Sequence, residues 1–197
     1  MRIFLAGATG VLGRALVPLL RGDGHLVAGM TRSADKASEL EREGVLPVIC
    51  DVYDRDRLTE VVRAFSPDLV MHQLTDLPDE EEQLAAFAAR NNRIRTEGTR
   101  NLVGAAGAAG ATRLLAQSIA WNPPGSGEVL AAHEAMVLSV GGVVLRYGVL
   151  YGPGTYPGTD RLPAPPRIHV AEAARRTLAA LDAPSGILVL AEAGEDD

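Results

Sequence analysis

Three glycines at regular spacing, Gly7-Ala-Thr-Gly10-Val-Leu-Gly13, follow the apolar run Ile3-Phe4-Leu5-Ala6 and open a helical pattern from Val11 to Leu20. In a strand–turn–helix setting each glycine has its own task. Gly7 permits a tight turn, Gly10 lets the backbone approach a pyrophosphate, and Gly13 allows close packing of helix on strand. The N–H groups that open the helix then present partial positive charge to phosphate. The predicted cradle, for a dinucleotide, is Gly7, Thr9, Gly10, Val11, Leu12 and Gly13.

The end of the second apolar run decides which dinucleotide. An acid there would accept from the ribose 2′-hydroxyl of NAD. The chain reads Gly29-Met30-Thr31-Arg32-Ser33, with no acid before Asp35. Arg32 and Ser33 can neutralise and hydrogen-bond a 2′-phosphate, because a guanidinium forks onto phosphate oxygens. NADP(H) is therefore favoured and NAD(H) remains possible; the alternative for Arg32 is a solvated surface arginine. Asp51-Val52 follows the third apolar run, where the carboxylate can accept from an adenine amino group and Val52 can pack on the ring. Asp51 can equally cap the next helix.

The elements that must position these residues alternate along the chain. Strand candidates are 3–6, 26–30, 46–50, 69–72, 113–117, 143–146 and 187–190; helical patterns run over 11–20, 34–43, 55–65, 80–109 (continuous or interrupted), 128–140 and 170–181. Short strands alternating with helices indicate βαβ units, and continuous apolar strands are covered by helices on both faces. The expected fold is α/β, a doubly wound parallel sheet of about seven strands in one domain. Loops are expected at 119–127 and 152–167, with a short acidic tail at Glu195-Asp196-Asp197.

Composition narrows the function classes. The 197 residues carry 25 acids and 19 bases, a net charge of −6 that argues against a nucleic-acid binder. Cys50 is the lone cysteine, so no intramolecular disulfide or Cys-based metal site can form, and its setting suits a packed strand end. No apolar run is long enough to span a bilayer. The start of the chain could pass for a short secretory segment, but its glycines suit a turn better, and a cytoplasmic protein is expected.

The motifs together resemble the short-chain dehydrogenase/reductase superfamily in its NAD-dependent epimerase/dehydratase branch. The resemblance rests on GATGVLG at 7–13, Asp51-Val52, RTEGTRNL at 95–102, Ala116-Gln117-Ser118, LRYGVLYGPG at 145–154 and IHVAEAA at 168–174. It implies that Gln73 and Leu74 line the cofactor's ribose and diphosphate. It also implies that Ser118 matches an active-site serine and that the 147–154 segment, with Tyr151, borders the nicotinamide.

The family's catalytic pair is a tyrosine with a lysine four residues later. Lys36 is the chain's only lysine, and Tyr53, Tyr147, Tyr151 and Tyr156 all lack a lysine at that spacing. Aligning Glu134 with the glutamate that often follows the family's lysine puts Ser126 and Leu130 at the two positions, and Arg95 stands where many relatives carry an asparagine. Candidate catalytic groups are then Ser118, whose other reading is a capping hydroxyl, and Tyr151. His133 reads as a surface helix residue or a surrogate acid, His72 as a packed strand residue, and His169 as structural.

Only 13 residues, four of them proline, separate Gly154 from Ile168. Relatives of this branch usually carry a substrate lobe there, so the cleft is expected to be open and shallow. An atypical oxidoreductase, a non-catalytic NADP(H)-sensing module and an epimerase with retained cofactor all stay open. A small-molecule substrate follows if it is an enzyme. The glycine- and alanine-rich helix ending near residue 109, with the helix over 128–140, could support a homodimer.

Overall fold

The alternation of apolar runs and amphipathic segments becomes, in the computed structural model, a parallel sheet wrapped by helices. The structure describes residues 1–78, 80–121, 123 and 125–192. The acidic tail and two residues of the predicted 119–127 loop, Asn122 and Pro124, lie outside them.

The strands are β1 (Arg2–Ala6), β2 (Leu26–Thr31), β3 (Leu46–Ile49), β4 (Leu69–His72), β5 (Arg113–Ile119), β6 (Val143–Tyr147), β7 (Val149–Tyr151), β8 (Arg167–His169) and β9 (Gly186–Leu190). The helices are α1 (Val11–Gly22), α2 (Ala34–Arg42), α3 (Arg55–Phe65), α4 (Leu84–Arg93), α5 (Thr99–Ala108), α6 (Gly127–Ser139) and α7 (Val170–Ala179). Seven strands pair in parallel in the order β3-β2-β1-β4-β5-β6-β9. The order reverses between β1 and β4, so the loops that follow these two strands meet at the carboxyl edge, where α/β sheets form their crevice.

Side-chain alternation along each strand sorts the core into two halves. Ile3 and Leu5 of β1 join Leu16, Leu20, Met71, Leu115 and Leu145 on the face covered by α1 and α7. Phe4 and Ala6 join Leu58, Val62, Val70, Leu102 and Val144 on the face of α3 and α5. Full cover does not extend to the sheet's two outer strands. Ile49 of β3 and Val189 of β9 are 53% and 60% exposed, because each outer strand has a neighbour on one side only.

The expected helix over 80–109 is one helical run with a change of pitch. A 3₁₀ turn (Glu81–Gln83) leads into α4, and a π turn (Ile94–Gly98) joins α4 to α5. A second feature was not anticipated: β7 and β8, which flank the expected 152–167 loop and overlap it only at Arg167, pair in a separate two-stranded sheet. Their approach demands Gly148, where an added Cβ would stand 2.7 Å from the Arg167 backbone. Among the described residues no helix is long and apolar enough to cross a membrane.

Leu16→Ala and Leu58→Ala each remove a fully buried side chain from opposite faces of the sheet. Each should cost about 2–5 kcal/mol in chemical denaturation, and the double variant should cost close to the sum. A strongly non-additive double variant would mean that the two halves are not separate.

Candidate functional site

The turn after β1 is shaped by two missing side chains. At Gly7, φ is +96°, and an added Cβ would lie 2.5 Å from the Gln73 carbonyl oxygen. At Gly13 it would lie 2.1 Å from the Gly7 carbonyl oxygen. Gly10 differs: it is exposed, has an ordinary φ of −76°, and an added Cβ would meet only the Gly7 oxygen at 3.4 Å. Gly10 caps α1 without any side-chain hydrogen bond, whereas α2 and α3 are capped by Ser33 and Asp54. The first N–H groups of α1 are thus left for another acceptor, beside exposed Val11 and half-buried Thr9, with Leu12 buried beneath. Arg14 braces the turn, donating to the Thr9 carbonyl at 3.1 Å and pairing with Glu39 at 3.1 Å.

Around this turn lie the other residues expected to hold a dinucleotide. Arg32, just past β2, is exposed and forms no ion pair among the described residues. Ser33 accepts from the Lys36 N–H at 3.3 Å, so its oxygen caps α2. Asp51 does not cap α3, as one reading allowed; Asp54 does, accepting from the Arg57 N–H at 3.1 Å. Asp51 instead accepts from the Tyr53 N–H at 2.9 Å, which tightens the turn after β3. Val52 is buried under Gly98, and its carbonyl accepts from Asn101 at 2.9 Å. Gln73 is buried and donates to the Tyr147 hydroxyl at 3.3 Å, while half-buried Leu74 accepts from Gln117 at 3.1 Å.

At the ends of β4 and β5 a chain of buried polar groups replaces the expected surface histidine. His133 is fully buried, because α6 turns this residue toward β5. Its Nε2 lies 2.9 Å from the Gln117 carbonyl and its Nδ1 2.8 Å from the Thr99 hydroxyl. The same hydroxyl lies 3.1 Å from His72 Nε2, and His72 Nδ1 accepts from the Leu74 N–H at 3.2 Å. These partners dictate the protons. A carbonyl can only accept, so His133 carries its proton on Nε2; His72 Nδ1 accepts, so its proton is also on Nε2. Thr99 then accepts from His72 and donates to His133 at 2.8 Å, the shorter of its two choices, since the Ile94 carbonyl lies at 3.3 Å. In this arrangement both rings are neutral. Burial enforces this: it lowers the His72 pKa to about 3 and pushes His133 down too, with the nearby Arg95 guanidinium adding to the latter.

Ser118 is buried beside this chain, and its hydroxyl donates to Glu134 at 2.6 Å. Glu134 also holds Arg146 in a two-pronged pair, at 2.8 and 2.5 Å. Burial works upward on the Glu134 carboxyl, but the hydrogen bonds from Arg146 and Ser118 prevail and hold it below the usual range. Tyr151 lies elsewhere, on β7, where its hydroxyl donates to Glu192 at 2.6 Å and its ring meets the His169 edge. That bond, with some burial, raises its pKa. Ser118 and Tyr151 therefore belong to separate networks, divided by β6. Ser126 lies at the cap of α6 and Leu130 is buried within that helix.

The loop between β7 and β8 reaches across the carboxyl edge, with the Tyr156 hydroxyl donating to the Pro78 carbonyl. On that side Asp76 is fixed by Arg90 at 2.9 Å and by Asn91. Residue-by-residue reading missed the polar stripe Asn91, Arg95 and Thr99, all buried and spaced by four. That spacing is the signal that could have revealed it, since such residues share a helix face.

The neutral histidines set a pH dependence. The rings bind protons near 6.5 when unfolded and at lower pH when folded, His72 only near 3, so stability is full above about pH 6.5 and declines as pH falls toward 3. Thermal melts from pH 7 to 4 should show a falling Tm, and the His72→Gln/His133→Gln variant should show a shallower fall. An unchanged slope would mean that these rings are not held neutral.

A family model described as NAD dependent epimerase/dehydratase family matches residues 3–128. A curated relative from a Streptomyces species, a 3-diazoavenalumate denitrifying reductase, is 42% identical over 180 residues, covering 79% of this chain and 58% of its own. The chain thus spans less than two thirds of that relative. In fold it is similar to a Thermus thermophilus UDP-glucose 4-epimerase in complex with NAD, with a TM-score of 0.79 at 21% identity over 98% of this chain and 78% of that one. A Thermotoga maritima UDP-glucose 4-epimerase with UDP-glucose gives 0.77 at 16% identity, over 97% and 77%. With the glycine turn inside the matched region, the chain belongs to the NAD dependent epimerase/dehydratase family.

Proposed function

We propose that the chain is a reductase that uses a nicotinamide dinucleotide, NADP(H) before NAD(H), to reduce an acceptor that needs no proton from the protein. The observation that carries this reading is an uncapped, glycine-shaped first turn of α1 at one end of the crevice, and Ser118 and Tyr151 already committed to carboxylates at the other. Gly7 and Gly13 leave no space for a Cβ, and the first turn of α1 is uncapped. Ser118 and Tyr151, by contrast, both donate to carboxylates. A diphosphate fits against the N–H groups of α1, a 2′-phosphate against exposed Arg32, and the ribose side against Gln73 and Leu74.

Carbonyl reduction builds up alkoxide charge and gains from an acid, which the tyrosine–lysine pair supplies in relatives. An acceptor that is already cationic, such as an organic diazonium, has no such need. When bound, the dinucleotide supplies a hydride: diazonium plus hydride gives the R–H product and N₂, with charge balanced and no outside proton. The name of the 42% identical relative supports this class, since its substrate carries a diazo group and, as an "-ate", an anionic carboxylate. The residues around Ser118 hold the crevice wall rigid and exclude water. We further place the protein in the cytoplasm, where the buried Cys50 thiol, its pKa raised to about 11 mainly by burial, stays reduced. A homodimer through α5 and α6 would use the exposed Gly104 and Gly107 of α5.

A second reading, a non-catalytic NADP(H)-sensing module, is favoured by those same engaged hydroxyls. Fluorescence titration should show NADPH binding about tenfold or more tighter than NADH, with Arg32→Ala abolishing the difference. Mixing NADPH, protein and an arenediazonium should release N₂ and give the arene, where spontaneous hydrolysis gives the phenol. NADPH binding without arene formation above background would overturn the reductase reading and leave the sensing module.

A further inference from the structure

Arg95 is the only arginine buried among the described residues, with 7% of its surface exposed. Its guanidinium forms no hydrogen bond and no ion pair with any of them, unlike Arg90, Arg93 and Arg146, which all hold carboxylates. Burial lowers its pKa with nothing to offset the effect. Its nitrogens are not sealed off, since Arg113 Nε alone is a fully enclosed side-chain nitrogen or oxygen without a partner among the described residues, so a ligand can reach a guanidinium that is largely desolvated and lacks a counter-charge. The backbone around it is also unusual: Arg95 stands in the π turn, a form often found at functional sites.

Its position indicates which ligand. Arg95 precedes Thr99 by one helical turn, and Thr99 bonds both His72 and His133. The guanidinium is close enough to His133 to depress its basicity, and His133 bonds the carbonyl preceding Ser118. Arg95 therefore sits beside the residues that close the ends of β4 and β5. The groups suited to the cofactor's phosphates lie elsewhere, at the start of α1 and at Arg32 after β2.

We propose that Arg95 binds the carboxylate of an anionic acceptor, whose negative charge completes the buried guanidinium. The planar fork of a guanidinium matches a carboxylate in two parallel hydrogen bonds, which fixes the acceptor's orientation as well as its affinity. This rests on the reductase reading above, and the two fail separately.

The test is calorimetric titration of benzoate and methyl benzoate into the full chain saturated with NADP⁺, as wild type, Arg95→Gln and Arg95→Lys. Benzoate should bind wild type about tenfold or more tighter than the ester, Arg95→Gln should lower benzoate to the ester's level, and Arg95→Lys should fall between. NADPH affinity should be unchanged in Arg95→Gln, and its Tm without ligand should match or exceed that of wild type, because an unpaired buried charge is removed. Equal affinity for acid and ester, equal losses for both, failure of wild type to bind benzoate, a loss confined to NADPH, or a lowered Tm would each overturn the assignment. Arg95-dependent benzoate binding without reduction of a carboxybenzenediazonium sinks the reductase reading alone. Equal reduction of carboxylated and plain benzenediazonium, each unaffected by Arg95→Gln, sinks the Arg95 assignment alone.

Discussion

Helix α1 sits closer to the turn after β1 than any residue with a side chain would allow. The 2.1 Å between a hypothetical Gly13 Cβ and the Gly7 oxygen, with the 2.5 Å between Gly7 and Gln73, fixes three backbone segments against one another. The loop after β1, the start of α1 and the loop after β4 are thereby locked at the one place where strand order reverses. The direction of α1, the aim of its free N–H groups and the position of Gln73 at the crevice all follow from that contact. A Cβ at either glycine would open the crevice before any ligand arrived.

The two ends of the carboxyl edge are built on opposite principles. At the α1 end, backbone donors are left open. At the β4–β5 end, side chains are almost wholly engaged: two neutral histidines, a threonine, a serine, a glutamate and an arginine form closed hydrogen-bond networks. Such networks make a rigid wall and are poor proton donors, because every donor is already committed. Arg95 is the exception within this wall. Its guanidinium has no partner among the described residues, and a complementary anion would give it one.

Most of the sheet was legible because short apolar runs between amphipathic segments leave few arrangements, and the glycine spacing marked the turn directly. Edges and networks were not. Ile49 and Val189 look like interior residues in sequence, and only their place on outer strands exposes them. His133 looks like a surface residue because α6 carries little apolar contrast around its circumference, so nothing local shows which side faces β5. Asp51 has the right side chain to cap α3, but α3 starts later, and backbone geometry gave the cap to Asp54. The pairing of β7 with β8 spans a proline-rich stretch that has no strand signal. Arg95 stood at a position flagged by family comparison, yet its burial and lack of a partner are properties of the packed π turn alone.

The claim on which everything else rests is that the open first turn of α1 holds a dinucleotide. Gly10 offers the direct test, since it is exposed, has an ordinary φ and has room for a Cβ, which would project where the diphosphate is proposed to lie. Titration of NADPH into wild type and Gly10→Val, with the ligand-free Tm of each, separates folding from binding. The expected result is a folded protein with at most a small fall in Tm, from the poorer cap, and affinity weakened about tenfold or more. Undiminished NADPH binding by a folded Gly10→Val protein would contradict it.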